Sequence, residues 1–256
     1  MGSLFLGKYT YGFVFLLITI MALLEFYDMN GISRSSIAVA VGISSAALIF
    51  ILSFLVTSGL AGSQLLTLAF LLPVVVLIIA LYTSDTGLGN NLAIIVLGII
   101  YIAVPLAIMN YLVFPAMNEK IYTYRILLGI FTLIWINDTG AYVTGSLIGR
   151  HRLFPRISPK KSWEGLLGGT LLTLTAALWM RDIMGMLSRT DWIILGTLVS
   201  VFGVYGDLSE SWFKRKAERK DSGSLIPGHG GVLDRIDSVL FVIPVSFIYL
   251  ILKACK

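Results

Sequence analysis

Residues Asp207 to Asp237 read DLSESWFKRKAERKDSGSLIPGHGGVLDRID, and strongly apolar sequence flanks them on both sides. Carboxylates, Lys/Arg, a histidine and a Gly-Gly pair beside lipid-spanning sequence are too costly to keep as packing alone. The stretch therefore reads as the working segment of a membrane protein.

The rest of the chain agrees. Of 256 residues, 57% are hydrophobic and 13% charged, and the mean hydropathy of +0.90 lies far outside the range of a soluble globular domain. The net charge of +5 comes from a few Lys/Arg clusters in short loops. Such clusters point to membrane topology and anionic ligands rather than to nucleic acid. A single cysteine, Cys255, excludes a disulfide framework and a cysteine metal site. The first apolar run, Tyr9 to Tyr27, is long enough to span and lacks a small-x-small cleavage pattern, so it reads as a retained helix.

A spanning helix needs roughly 20 apolar residues. On that ruler about eight segments qualify, near 11–27, 36–58, 64–83, 91–114, 124–148, 165–183, 192–213 and 232–252. Strand alternation, heptads and internal repeats are absent from the pattern. The expectation is an all-α polytopic integral membrane protein with about eight transmembrane helices and a cytoplasm-facing polar cavity. It is a single membrane domain over 1–256, in which 1–120 are mainly scaffold and 121–256 carry the site. Glu25, near the end of its helix, is expected to snorkel to the interface.

Three features outside the opening stretch carry chemistry. Asn137-Asp138-Thr139-Gly140 sits mid-span, with Asp138 roughly 18 to 20 Å from both Arg125 and Arg150 at about 1.5 Å per residue. An ionised Asp there costs at least about 2.5 kcal/mol. It either faces a cation, a substrate or a wet cavity, or is hydrogen-bonded between helices. The loop from Gly149 to Gly165 carries five Lys/Arg and reads as cytoplasmic. Its end, Ser158-Pro159-Lys160-Lys161-Ser162, runs into a helix start, where hydroxyls, ammonium groups and free N–H groups make an anion cradle.

Within the opening stretch, spacing of three, four and seven aligns Asp207, Glu210 or Ser211, and Lys214 on one helix face. The glycines of 220–231 allow close backbone approach to an anion. Asp234 and Asp237 are expected one turn apart on the next helix. Carboxylates from two helices repel unless a cation separates them, and an oxygen-only donor set suits Mg2+ or Mn2+. The chemistry fits a metal-bound polyphosphate. His229 is open as metal ligand, general base, phosphate donor or loop brace.

From Ser211 the pattern S-x-x-K-R-x-x-x-x-K-D-x-G-x-x-I-P-x-H-G-G-x-x-D-R-x-D resembles the phosphatidate cytidylyltransferase (CDP-diacylglycerol synthase) family signature at every defined position. The resemblance extends to Gly206-Asp207, to Ser158–Gly165 and to Asn137–Tyr142. It covers about the C-terminal half in detail and the first half only in hydropathy. Members of the family usually carry one more apolar span ahead of the helix ending in Glu25-Phe26-Tyr27, so either the start is truncated or this branch lacks a helix.

The resemblance implies that CTP and phosphatidate give CDP-diacylglycerol and pyrophosphate, in a bacterial cytoplasmic membrane with the site facing the cytoplasm. It implies Asp207 and Asp234 as metal ligands, with Asp138, Asp221 and Asp237 as further ligands or acceptors around them. Lys160, Lys161, Lys214, Arg215, Lys220 and Arg235 would hold phosphates, helped by donors at Ser158, Ser162, His229, Gly230 and Gly231. Asp207, Asp234, Lys214 and Asp138 form the catalytic set. The expected partners are CTP, phosphatidate and membrane lipids, with no nucleic acid, and a homodimer is compatible. A CTP-dependent lipid-alcohol kinase and an ion transporter are the rival readings.

Overall fold

The computed structural model describes residues 2–34, 36–82, 86–115, 121–219, 222–223 and 230–254. Among the described residues, six helices are long and apolar enough to cross a membrane: Lys8–Met29, Ile37–Thr57, Asn91–Val113, Arg125–Ile148, Arg189–Lys216 and Asp237–Ala254. Helices satisfy their own backbone polar groups, which lipid cannot do. The chain is accordingly an all-α polytopic membrane protein.

In chain order the elements are α1 (Gly2–Phe5), α2 (Lys8–Met29), α3 (Ile37–Thr57), a 3-10 stretch (Ser63–Leu71), α4 (Leu72–Tyr82) and α5 (Thr86–Gly98). A π turn (Ile99–Ala103) leads into α6 (Val104–Val113), then α7 (Arg125–Ile148), β1 (Arg152–Phe154), β2 (Ser158–Ser162), α8 (Trp163–Met184) and α9 (Arg189–Lys216). A 3-10 turn (Leu233–Arg235) precedes α10 (Asp237–Ala254). The expected segment 64–83 is thus divided between 3-10 and α geometry. The expected segment 165–183 lies in α8, which has 22 residues but carries Glu164, Arg181 and Asp182.

These elements pack as two compact units, Met1–Tyr122 with Arg219–Arg235, and Thr123–Glu218 with Ile236–Lys256. In the first unit, α2 packs on α3 and on the π turn. Tyr27 fills slots left open by Gly42 and Gly98, and its hydroxyl donates to the Ile95 carbonyl at 3.1 Å. Buried Asn110 accepts from the Tyr11 hydroxyl at 3.0 Å and donates to Ser53 Oγ at 2.6 Å. Interhelical polar contacts of this kind hold helices together where lipid removes the hydrophobic drive.

In the second unit α7 and α8 pack closely because small residues face each other. A Cβ on Gly169 would sit 2.7 Å from the Asn137 carbonyl, and one on Gly165 would sit 2.7 Å from the Ala141 carbonyl. Asn137, not Asp138, is the buried polar residue at this seam; its Oδ1 accepts from the Thr173 hydroxyl at 3.4 Å. Helix α9 starts with a capping box between Ser188 and Asp191. Buried Asp191 also accepts from Tyr249 at 2.7 Å and pairs with Lys253, tying α10 to α9 at that end. At the other end Gly206 lets the α9 and α10 backbones touch.

Three expectations change. The loop 149–165 contains an antiparallel hairpin, with Arg152 opposite Ser162 and Phe154 opposite Ser158. Helix α10 begins at Asp237, so Asp234 stands in a 3-10 turn before it rather than on the same helix face. Glu25 does not snorkel, being 1% exposed.

A Cβ on Gly206 would lie 2.5 Å from the Asp237 carbonyl oxygen and 2.8 Å from Ser238 Cα. Backbone cannot swing aside as a side chain can. Gly206→Val is expected to destabilise the protein by about 1–3 kcal/mol through overpacking, read as a lower unfolding midpoint in detergent; an unchanged midpoint would refute this tight contact.

Candidate active site

The contact at Gly206 decides where the acids meet. It seats the first residue of α10 beside Asp207, one residue further along α9. Carboxylate oxygens of Asp207, Glu210 and Asp237 all lie within 4.8 Å of one another. Glu210 is three residues after Asp207, so a helical turn stacks them on one face. Asp138, on α7, lies exposed within electrostatic reach of Lys161 and Asp207.

Two lysines answer these acids. Lys161 on β2 pairs with Asp207. Lys214 pairs with Glu210 at 2.5 Å, one turn along α9, and Glu210 is 1% exposed. Lys160 is exposed, while its neighbour Lys161 is half-buried. Helix α9 also latches the hairpin, since Arg215 Nε donates to the Ile157 carbonyl at 3.5 Å. Ser162 is buried and accepts from the Gly165 N–H at 3.1 Å, capping α8. Ser158 begins β2 and is half-buried.

Four carboxyl groups against two ammonium groups leave the cluster acidic if all ionise. Three oxygen donors this close fit a hard divalent cation such as Mg2+ or Mn2+. Sequence reasoning placed Asp207, Asp237, Asp138, Lys161 and Lys214 in the site. It noted Glu210 only as a possible facial neighbour, and the i, i+3 spacing to Asp207 was the signal.

The described part of the signature loop belongs to the first unit, where backbone amides face the protein's own acids. Asp234 Oδ2 accepts from the Gly231 N–H at 2.8 Å and the Ser222 N–H at 3.3 Å. Glu25 accepts from the Val232 and Leu233 N–H groups at 2.9 and 2.8 Å. The Gly231 amide, expected to face a phosphate, thus faces Asp234. Gly230 takes a positive φ of 79°, which puts its α-carbon where a Cβ would lie 3.0 Å from Asp234 Oδ2. Arg235 is exposed. Lys220, Asp221 and His229 lie outside the described residues, as does Cys255.

Residues 1–253 match the family described as the cytidylyltransferase family. A phosphatidate cytidylyltransferase of Staphylococcus epidermidis is 47% identical over 128 residues, 50% of this chain and 49% of that protein. One from Staphylococcus aureus is 47% identical over 123 residues, 47% of each chain. One from Staphylococcus haemolyticus is 46% identical over 122 residues, again 47% of each. The chain thus spans about half the length of the curated relatives it matches. With a match that runs over nearly all of its residues, the chain belongs to the cytidylyltransferase family.

Proposed function

We propose that this chain transfers the cytidylyl group of CTP to phosphatidate, giving CDP-diacylglycerol and pyrophosphate. The observation that carries the reading is the group of three carboxylates within 4.8 Å, flanked by Lys161 and Lys214. The names of the relatives, phosphatidate cytidylyltransferase, support the same substrates.

The reaction forms a bond from a phosphatidate phosphate oxygen to the α-phosphorus of CTP. It breaks the bond from that phosphorus to the oxygen bridging to the β-phosphate, and pyrophosphate leaves with the electron pair. The attacking phosphate monoester is already anionic near neutral pH, so no side chain has to remove a proton from it. Catalysis then rests on positioning and on charge neutralisation. Asp207, Glu210 and Asp237 would hold Mg2+ or Mn2+, which when bound offsets the charge of the phosphate groups. Lys161 and Lys214 hold the carboxylates in register and present ammonium groups to phosphate. Lys160, Arg215, Lys220 and Arg235 are assigned to phosphate binding, and Asp234 to the shape of the loop that carries Gly230 and Gly231.

The basic residues of 150–161 and 214–219 support a cytoplasmic position for this end of α9, by the bias of Lys/Arg toward that side. CTP arrives from there, while phosphatidate keeps its acyl chains in the bilayer. A bacterial cytoplasmic membrane is the setting that fits both.

Purified protein supplied with radiolabelled CTP and phosphatidate is expected to form CDP-diacylglycerol and pyrophosphate in equal amounts, to stop with chelator and to recover with Mg2+. Release of CDP with a phosphorylated lipid alcohol would instead establish a kinase. Asp207→Asn and Asp237→Asn should each cut turnover at least about hundredfold while keeping the parent's unfolding midpoint; near-parental turnover in either would remove that acid from the site. Lys161→Met leaves Asp207 without its partner, and a drop of roughly tenfold to hundredfold in kcat/KM for CTP is expected.

A further inference from the structure

Glu25 lies in the scaffold half of the chain, on α2, and none of the proposed chemistry uses it. It is nonetheless 1% exposed, in a helix long and apolar enough to cross the membrane. A buried carboxylate there needs full compensation. The compensation comes from the signature loop. Oε1 accepts from the Val232 N–H at 2.9 Å, and Oε2 accepts from the Leu233 N–H at 2.8 Å and from the Ser222 hydroxyl at 3.3 Å.

Both oxygens of Glu25 act as acceptors, and two successive backbone donors converge on them. That is how a loop would grip a phosphate, but here the anion is part of the chain. The glycines fit this arrangement. A Cβ on Gly223 would sit 2.8 Å from Glu25 Cδ, and one on Gly231 would sit 2.5 Å from Glu25 Oε2. One turn further along α2, Asp28 accepts from Arg219 at 3.1 Å, where the same segment begins. Helix α2 therefore holds Arg219 through Asp28, and Ser222, Val232 and Leu233 through Glu25, and Glu25 is the buried one of these two acids.

We propose that Glu25 is a positioning residue, a built-in anion that fixes the chain at Ser222, Val232 and Leu233 and with it the side chains that follow Leu233, Asp234 and Arg235. The effect on turnover rests on the function proposed above; the effect on the loop does not.

Two variants separate a charge role from a space-filling one. Gln is the same size as Glu but offers one acceptor oxygen, and its amide nitrogen would meet an N–H donor. Asp is shorter but keeps two acceptors. Hydrogen exchange of the full-length protein in detergent is expected to show the Val232 and Leu233 amides exchanging at least about tenfold faster in Glu25→Gln, with α3 unchanged. CDP-diacylglycerol formation should rank Glu above Asp above Gln, with Gln down about tenfold to hundredfold.

Gln behaving like the parent in exchange, or outperforming Asp in turnover, overturns the proposal. Should the Glu25 variants fail to fold, Gly223→Ala approaches the same contact from the loop side. It is expected to open the same two amides, and unchanged exchange there overturns the proposal equally. An inactive parent protein would overturn the proposed reaction, while the exchange measurement would still decide the role of Glu25.

Discussion

The constraint behind this structure is the cost of an unpaired charge in hydrocarbon. Several acids described within or at the end of spanning helices are met in a specific way. Asp191 has Ser188, Tyr249 and Lys253. Glu210 has Lys214, Asp207 has Lys161, and Glu25 has two backbone N–H groups and a hydroxyl. The arrangement of acids follows from the need for those partners. Among the described residues, carboxylates crowd one another around Asp207, Glu210 and Asp237, and that is where ligand chemistry fits best.

Small residues convert this constraint into geometry. Gly206 brings the backbone of Asp237 against α9, so acids 30 positions apart in sequence share one cluster. Glycines at 165 and 169 seat α8 against α7, which fixes the start of α8 and hence the end of β2 that carries Lys161. The hairpin matters for a local reason. At its end Lys161 reaches Asp207 while the neighbouring Lys160 stays exposed.

Membrane class, the family signature and most members of the acid–lysine cluster were legible in the residues themselves. Hydropathy reports the cost of hydrocarbon burial, and Lys/Asp motifs report chemistry that packing cannot explain. The reading faltered where the deciding partner is distant in sequence. Glu25 resembles an interfacial residue until the N–H groups of Val232 and Leu233, more than 200 positions away, are placed on it. Asn137 and Asp138 are adjacent and equally polar in sequence, but the packing of α8 buries the amide and leaves the carboxylate exposed. The break between Asp234 and α10 was likewise hidden, since a helical pattern runs through both.

By itself, then, the sequence determined a polytopic helical membrane protein of a recognisable family, because lipid imposes composition and length on every span and the signature is long. Tertiary structure alone decided which polar groups act together. An anion-binding loop and a buried glutamate carry no mark in the sequence that says they are each other's partners. Only the fold brings two successive backbone donors to one carboxylate, and only there does the cost of burial fall low enough for the glutamate to stay.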